Sequence, residues 1–306
     1  MDTYGLITPH PPYLTPHYPT QCKMESQPGV LYVVGTPIGN LEDMTFRAIQ
    51  ALKQVDAIAA EDTRHTGKLL RHFQIDTPQI SYHDHNRQRR IPELLQRLQQ
   101  GNTIALVTDA GMPGISDPGY ELVKACVESG VPVVPIPGPS AVTTALSGAG
   151  ILAERFVFEG FLPTKPKERR DRLEKLCAES RPIVLYEAPH RLRQTLEDLG
   201  AALGYDRSIV LARELTKLHE EFWRGSIEGA IGHYTDRSPR GEFTLVLAGA
   251  PQVGPELSEA EIKTELVNLI NQGLSRSQAS RQLAQHTSLH RREIYQLALR
   301  IDVEQM

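Results

Sequence analysis

Four short apolar runs fall in the first half of the chain: VLYVVGT at 30–36, DAIAAED at 56–62, IALVTD at 104–109 and VPVVPIPG at 131–138. The stretches between them carry helical spacing, as at Ala48, Ala51 and Leu52. Strands that are apolar throughout are buried on both faces, and such strands alternating with helices build a mostly parallel sheet. No other feature constrains the fold as strongly. It predicts an α/β unit whose strands run the same way, with their carboxyl ends along one edge. A helix is expected over 92–100. Asp117 and Pro118 read as an N-cap and a first helical residue, and another helix starts near Ser140.

Near residue 150 the pattern changes. RFVFEGFLP, PIVLYEAP, SIVLARELT and GEFTLVLAG read as strands, with a further one at EEFWRGSI. Two follow one another closely, so this second sheet is expected to be mixed. The fold class is therefore α/β with two α/β domains, at 30–150 and 151–250. GAPQVGPE reads as a linker to a small helical tail at 256–306. There Ser258-x-x-Glu261 and Ser275-x-x-Gln278 have capping-box spacing. The last two short helices, about the turn HTSLH, resemble a helix-turn-helix. Residues 1–29 are rich in Pro, Tyr and His, lack any period, and are expected to be a disordered extension, with Met24 an alternative start.

A chain of 306 residues accommodates about two domains. Its net charge of −4 argues against wholesale nucleic-acid attraction but leaves room for local basic patches. Three scattered cysteines, Cys22, Cys126 and Cys177, show no metal or disulfide spacing and read as reduced thiols of a cytoplasmic protein. No run reaches the roughly 18 apolar residues of a membrane helix.

All four strands of the first domain end in loops of unusual composition: GTPIGN (35–40), EDTRHTG (61–67), TDAGMPGISDPG (108–119) and IPGPSA (136–141). Ligands of parallel sheets bind at the carboxyl edge. Glycine lets backbone approach a ligand and proline fixes its shape. GTPIGN is neither the dinucleotide fingerprint nor a P-loop.

These loops, together with LYVVGTPIGNLEDMTFRAI, AEDTRHTGKLL, DAGMPGISDPGYELV, PIPGPSAVTTALSGAG, FEGFLP, YEAPHR, LARELTKLHEE and RGSIEG, resemble the small-subunit ribosomal RNA 2′-O-methyltransferase I family, part of the tetrapyrrole-methylase (class III) fold. The resemblance covers residues 30–250 and extends to the tail. It implies two α/β domains with S-adenosylmethionine in the cleft between them, a homodimer, and methylation of a decoding-centre cytidine of 16S ribosomal RNA on its ribose 2′-hydroxyl. It assigns Pro37, Ile38, Gly39, Asp109, Ala110, Gly111, Pro113, Ser140 and Ala141 to the cofactor, with Tyr186, Glu187, Leu215 and Thr216 from the second domain.

Other residues are read one by one. Glu61, Asp62 and His85 are alternatives for a general base, and no spacing chooses among them. Arg64 and His83 are expected to contact RNA. His83-x-His85 lacks a third ligand, so no metal is expected. The basic run Lys165, Lys167, Arg169, Arg170, Arg172 and Lys175 is either a solvated helix face or an RNA grip, with Arg191 and Arg193 extending it. The arginines of the tail (Arg276, Arg281, Arg291, Arg292) are a rival grip. Trp223 is assigned to core. Two further readings stay open: a tetrapyrrole C-methyltransferase and a non-catalytic RNA-binding protein.

Overall fold

The computed structural model describes residues 29–251, 258–284, 287, 289 and 291–301. The expected N-terminal extension, the start at Met24 and most of the linker and HTSLH turn lie outside the described residues. The remainder forms two compact units. One ends at Pro37 and resumes over Leu41–Pro139; the other takes Ile38–Asn40 and the chain from Ser140 onward.

In the first unit, β1 (Leu31–Val34), β2 (Ala57–Ala60), β3 (Gln79–Ser81), β4 (Ile104–Val107) and β5 (Val133–Ile136) form a wholly parallel sheet in the order β3-β2-β4-β1-β5. Every residue of β2 and β4 is buried, as their unbroken apolar runs require. On one face α1 (Phe46–Gln54) and α2 (Thr63–His72) cover Ile58, Ala60, Ala105 and Val107. On the other, α3 (Arg87–Gln99) and α4 (Tyr120–Glu128) cover Ala59, Ile104 and Leu106. Each fully buried leucine contributes about 1.5–3 kcal/mol to this packing.

Three expectations need correction here. Strand β3 was not foreseen: three residues, none fully buried, at the sheet's edge, carry no apolar signature. Helix α3 starts at Arg87 rather than 92, because Asn86 braces the preceding turn through the His83 N–H and Ser81. Asp117 does not cap α4. Gly119 does, at φ 148°, where a Cβ would lie 3.0 Å from the Gly114 nitrogen.

The second unit has a mixed sheet, β6-β7-β10-β8-β9, made of β6 (Val157–Phe161), β7 (Ile183–Glu187), β8 (Ser208–Arg213), β9 (Glu221–Ser226) and β10 (Phe243–Leu247). Only β6 and β7 pair in parallel. Helices α6 (Pro166–Leu176), α7 (Leu192–Leu203) and α8 (Ile227–His233) pack on one face; α5 (Ala141–Ala149) packs on the other. The domain division expected at 150 thus moves to Ser140. Val142, Ala145 and Ala149 of α5 pack against Val184, Val210 and Val246, so the helix joins the second sheet. Trp223 is half-buried against the larger core cluster.

The tail forms α9 (Glu259–Asn271), α10 (Arg276–Ala284) and α11 (Arg291–Leu299), with a small core of Ile262, Leu266, Leu269, Ala279, Leu283, Ile294 and Ala298. Ser258 and Glu261 form a reciprocal capping box. Ser275 and Gln278 bond in the same reciprocal way. Among the described residues no helix is long and apolar enough to cross a membrane. Cys126 is buried, which pushes its thiol up to about 11.

Candidate functional site

In the first unit the loops after β1, β4 and β5 knit together. The Thr36 N–H donates to the Gly111 carbonyl (2.9 Å) and Gly111 returns the bond to Thr36 (3.0 Å). Thr36 Oγ1 donates to the Thr108 carbonyl. Gly35 and Gly138 meet backbone to backbone: a Cβ on Gly35 would lie 2.7 Å from Gly138 Cα and 2.5 Å from Met112 Sδ. No other residue type fits that approach. The sequence-predicted Asp109, Ala110, Gly111 and Pro113 lie on the loop after β4, and Pro37 lies on the loop after β1. Gly111 has φ 78°.

The same edge carries a group of carboxylates. The Asp109 N–H donates to Glu61 (3.3 Å), and the Asp62 N–H donates to the Asp109 carboxylate (3.2 Å). Burial raises the Glu61 carboxyl above its ordinary range; the Asp109 N–H opposes this, and the charges of Asp109 and Asp84 reinforce it. Asp117 retains exposed surface but is crowded by protein. Its carboxyl is pushed up to about 7, first by lost hydration and then by Glu61, Asp109 and Asp84. Next in the chain to Asp109, Thr108 is 2 % exposed and its Oγ1 has no partner among the described residues. Reading the sequence as a helix cap missed Asp117. The signal available was its place in the glycine-rich loop, three residues past Gly114.

Asp62 is different. Its carboxylate accepts from the Arg64 N–H (2.8 Å) as the cap of α2 and pairs with the Arg64 guanidinium (2.8 Å). Those bonds hold it well below the usual carboxylate range, so it is a poor proton acceptor. His83 is packed into its turn, with Nε2 3.1 Å from Asn86 Nδ2 and Nδ1 buried without a partner among the described residues. His85 is exposed, its ring 5.9 Å from that of His83. Among the described residues no group of three or more His, Cys, Asp or Glu side chains is placed to hold a metal.

In the second unit, Ile38, Ala141, Tyr186 and Leu215 converge on one cluster with α5. Ser140 is the N-cap residue of α5, its side chain making no cap bond. Gly39 packs on the loop after β8: its Cβ would lie 2.4 Å from Lys217 Cγ, 2.9 Å from Thr216 Oγ1 and 3.1 Å from the Leu215 carbonyl. Thr216 sits at φ 66° and Glu214 at φ 50°, conformations that L residues rarely adopt. Thr216 Oγ1 is buried and has no hydrogen-bond partner among the described residues. A cradle closed to Cβ beside an orphaned hydroxyl on a strained loop fits a polar ligand edge.

Two sequence-predicted site residues are consumed by the fold. Strand alternation turns Glu187 to the face opposite Tyr186. There its side chain is fully buried; it accepts from the Ala188 N–H (2.9 Å) and the Thr195 hydroxyl, and pairs with Arg191 (3.3 Å). Arg169, expected to grip RNA, is tied to Asp198 (2.6 Å), Thr195 (2.8 Å) and the Pro163 carbonyl. Of the rest of the basic run, Lys165 pairs with Glu168 and Arg172 with Glu159. Lys167, Arg170 and Lys175 are exposed with no ion pair among the described residues. Arg193 caps the end of α8 by donating to the carbonyls of Tyr234, Thr235 and Arg237. In the tail, Arg276 is bound to the Ile301 carbonyl.

The sequence model for the tetrapyrrole (corrin/porphyrin) methylases matches residues 30–231. A protein of Synechocystis sp. named ribosomal RNA small subunit methyltransferase I is 59% identical over 277 residues, 90% of this chain and 99% of that one. Solved structures agree in fold. The methyltransferase CobJ superposes with a TM-score of 0.56 at 19% identity, over 74% of this chain and 98% of its own. Uroporphyrin-III C-methyltransferase from Thermus thermophilus, complexed with S-adenosyl homocysteine, gives 0.53 at 18% identity, over 72% and 97%.

Proposed function

The chain belongs to the ribosomal RNA small subunit methyltransferase I family within the tetrapyrrole (corrin/porphyrin) methylases, and from that premise we propose that it is an S-adenosylmethionine-dependent enzyme acting on ribosomal RNA. The finer reading is methylation of the ribose 2′-oxygen of a decoding-centre cytidine in 16S ribosomal RNA, by a cytoplasmic homodimer acting on the small subunit. The observation that carries the cofactor is the cradle of Gly39, Leu215 and Thr216, with its unpartnered hydroxyl. The solved relative that holds S-adenosyl homocysteine supports the same choice.

The residues that would hold it are Pro37, Asp109, Ala110, Gly111 and Pro113 in the first unit. In the second they are Ile38, Gly39, Ser140, Ala141, Tyr186, Leu215 and Thr216. When bound, S-adenosylmethionine supplies an electrophilic methyl group on a sulfonium. Orienting the acceptor accounts for about 7–11 kcal/mol of rate enhancement, a base for about 10²–10⁴-fold. Positioning therefore dominates, and loss of the base slows the enzyme without silencing it. Glu61 is the base this reading favours: its carboxyl is raised, it has no ion pair among the described residues, and Asp109 holds it by a backbone bond. It takes the proton that the ribose hydroxyl loses.

The test offers tritiated S-adenosylmethionine with small ribosomal subunits, free RNA and a uroporphyrin-type acceptor. Label is expected in subunit RNA, at a nucleoside whose methylated 2′-oxygen leaves the adjoining phosphodiester resistant to alkaline hydrolysis. Label only in the tetrapyrrole, or nowhere, refutes the reading.

A further inference from the structure

Helices α6 and α7 of the second unit do not close on one another along their length. Between them lies a groove of about 850 Å³, within the range of small-ligand sites. It opens where the parallel pair β6 and β7 ends, with the loops at 162–165 and 188–191 as its lips. Ligands of parallel strands collect at that edge.

The groove is built rather than left over. Arg169 spans it from α6, binding Asp198 and Thr195 of α7 and the Pro163 carbonyl. Arg191 donates to the Leu162 carbonyl (2.6 Å) and pairs with Glu187. Two arginine struts thus fix the spacing of the lips, so little ordering is left for a ligand to impose. Pro163, Pro166, Leu173 and Ala202 alternate on its walls with Thr164, Gln194, Thr195 and the tied Arg169 and Asp198, and most of the wall surface left open is apolar. Its rim carries Arg170 and His190, both exposed and without an ion pair among the described residues, and Lys167 projects from the same helix. With Asp198 taken by Arg169, Glu174 is the acid left on the lining.

A preformed slot with apolar wall surface, and with the Arg170 guanidinium and the His190 imidazole at its lip, matches an unstacked nucleobase with its phosphate outside. A duplex does not enter such a slot, and an acidic peptide gains little from the apolar walls. We infer that the α6–α7 groove seats one extruded nucleotide of the RNA substrate, its base against the apolar walls and its phosphate at Arg170 and His190. This rests on the reading of the chain as an RNA methyltransferase and adds where the RNA is held.

Two variants test it. Arg170→Glu reverses the rim, and Ala201→Trp fills the groove from an exposed position on α7. Lys53→Glu, on the first unit, is the charge control. Each is titrated against a single-stranded RNA oligonucleotide and against small ribosomal subunits at several salt concentrations. Both groove variants should bind RNA about tenfold or more weaker and raise KM for subunits by a similar factor, with kcat at saturating subunit retained. Arg170→Glu should also lower the salt slope by roughly one phosphate's worth, whereas Ala201→Trp leaves it unchanged. S-adenosylmethionine affinity, melting temperature and the Lys53→Glu control should match the wild type. Folded variants with wild-type RNA affinity overturn the inference. So does a loss confined to Arg170→Glu, because a surface cation then acts without a groove. Absence of methyl transfer by the wild-type chain would sink the functional reading alone, since the binding titrations still decide the groove.

Discussion

Replacing Gly39 with alanine adds one carbon, and the structure says what that carbon meets. It would lie 2.4 Å from Lys217 Cγ, 2.9 Å from Thr216 Oγ1 and 3.1 Å from the Leu215 carbonyl. Lys217 does not swing away freely, because its ammonium pairs with Glu214 (2.9 Å) and Glu242 (2.8 Å). The neighbouring Thr216 is already at φ 66°. Overpacking of this kind costs about 1–3 kcal/mol, which lowers melting by roughly 2–10 °C. If the loop relaxes by abandoning its strained form, the same energy falls on cofactor binding, a loss of about 5–150-fold. Gly39→Ala, Lys217→Ala and the double variant, measured by thermal melts and by calorimetry with S-adenosylmethionine, form a cycle. The double variant should recover at least half of the loss, because the shortest contact is gone. A Gly39→Ala protein that melts and binds like the wild type refutes the cradle, and a cycle with no coupling refutes its dependence on Lys217.

The raised Asp117 carboxyl has a consequence for stability. Between about pH 4 and pH 7 the folded chain holds a proton that the unfolded chain has lost, so this group's contribution falls as pH rises through that window. Asp117→Asn should therefore melt higher than the wild type at pH 8, with the difference closing below pH 4; an equal difference at both ends contradicts the crowding. Arg169→Ala should lower stability by roughly 1.5–3 kcal/mol in denaturant titrations, as expected for a charge-assisted bond at a mostly buried site. A variant of unchanged stability with weakened RNA binding would restore Arg169 to the RNA surface. Ser258→Ala removes the reciprocal cap of α9 and should cost about 0.5–2 kcal/mol, read as faster amide exchange in α9 with methyl transfer retained.

The parallel sheet was legible because its strands are apolar on both faces, and burial of that kind leaves a run in the sequence. Both capping boxes were legible because they depend on residues three apart. What escaped depended on distant partners. β3 owes its place to pairing with β2 at an edge, not to apolar residues. Helix α5 has an apolar stripe that either sheet could have covered, and only the long-range packing on Val184, Val210 and Val246 assigns it. Arg169 and Arg170 are adjacent and chemically identical. One is tied to Asp198 and Thr195 across to α7, and the other stands exposed on the rim of the groove between the two helices, a difference of helical phase relative to a neighbour the sequence does not display. Tyr186 and Glu187 were separated by strand alternation in the same way.

The assignment of Ile38–Asn40 to the second unit, inside a stretch otherwise belonging to the first, bears on how the chain is made. At a translation rate of 5–20 residues per second, Gly39 leaves the ribosome roughly 10–35 s before Thr216. The strands of the first unit are all synthesised before that, so β1 can pair while Ile38 and Gly39, a few residues on, wait for the loop they pack against. Completion of the second unit is therefore tied to an early segment that a separately expressed 140–301 fragment lacks. Such a fragment is expected to leave the 214–217 loop without its packing partner, and cutting the chain at Pro139 does not yield two self-sufficient halves.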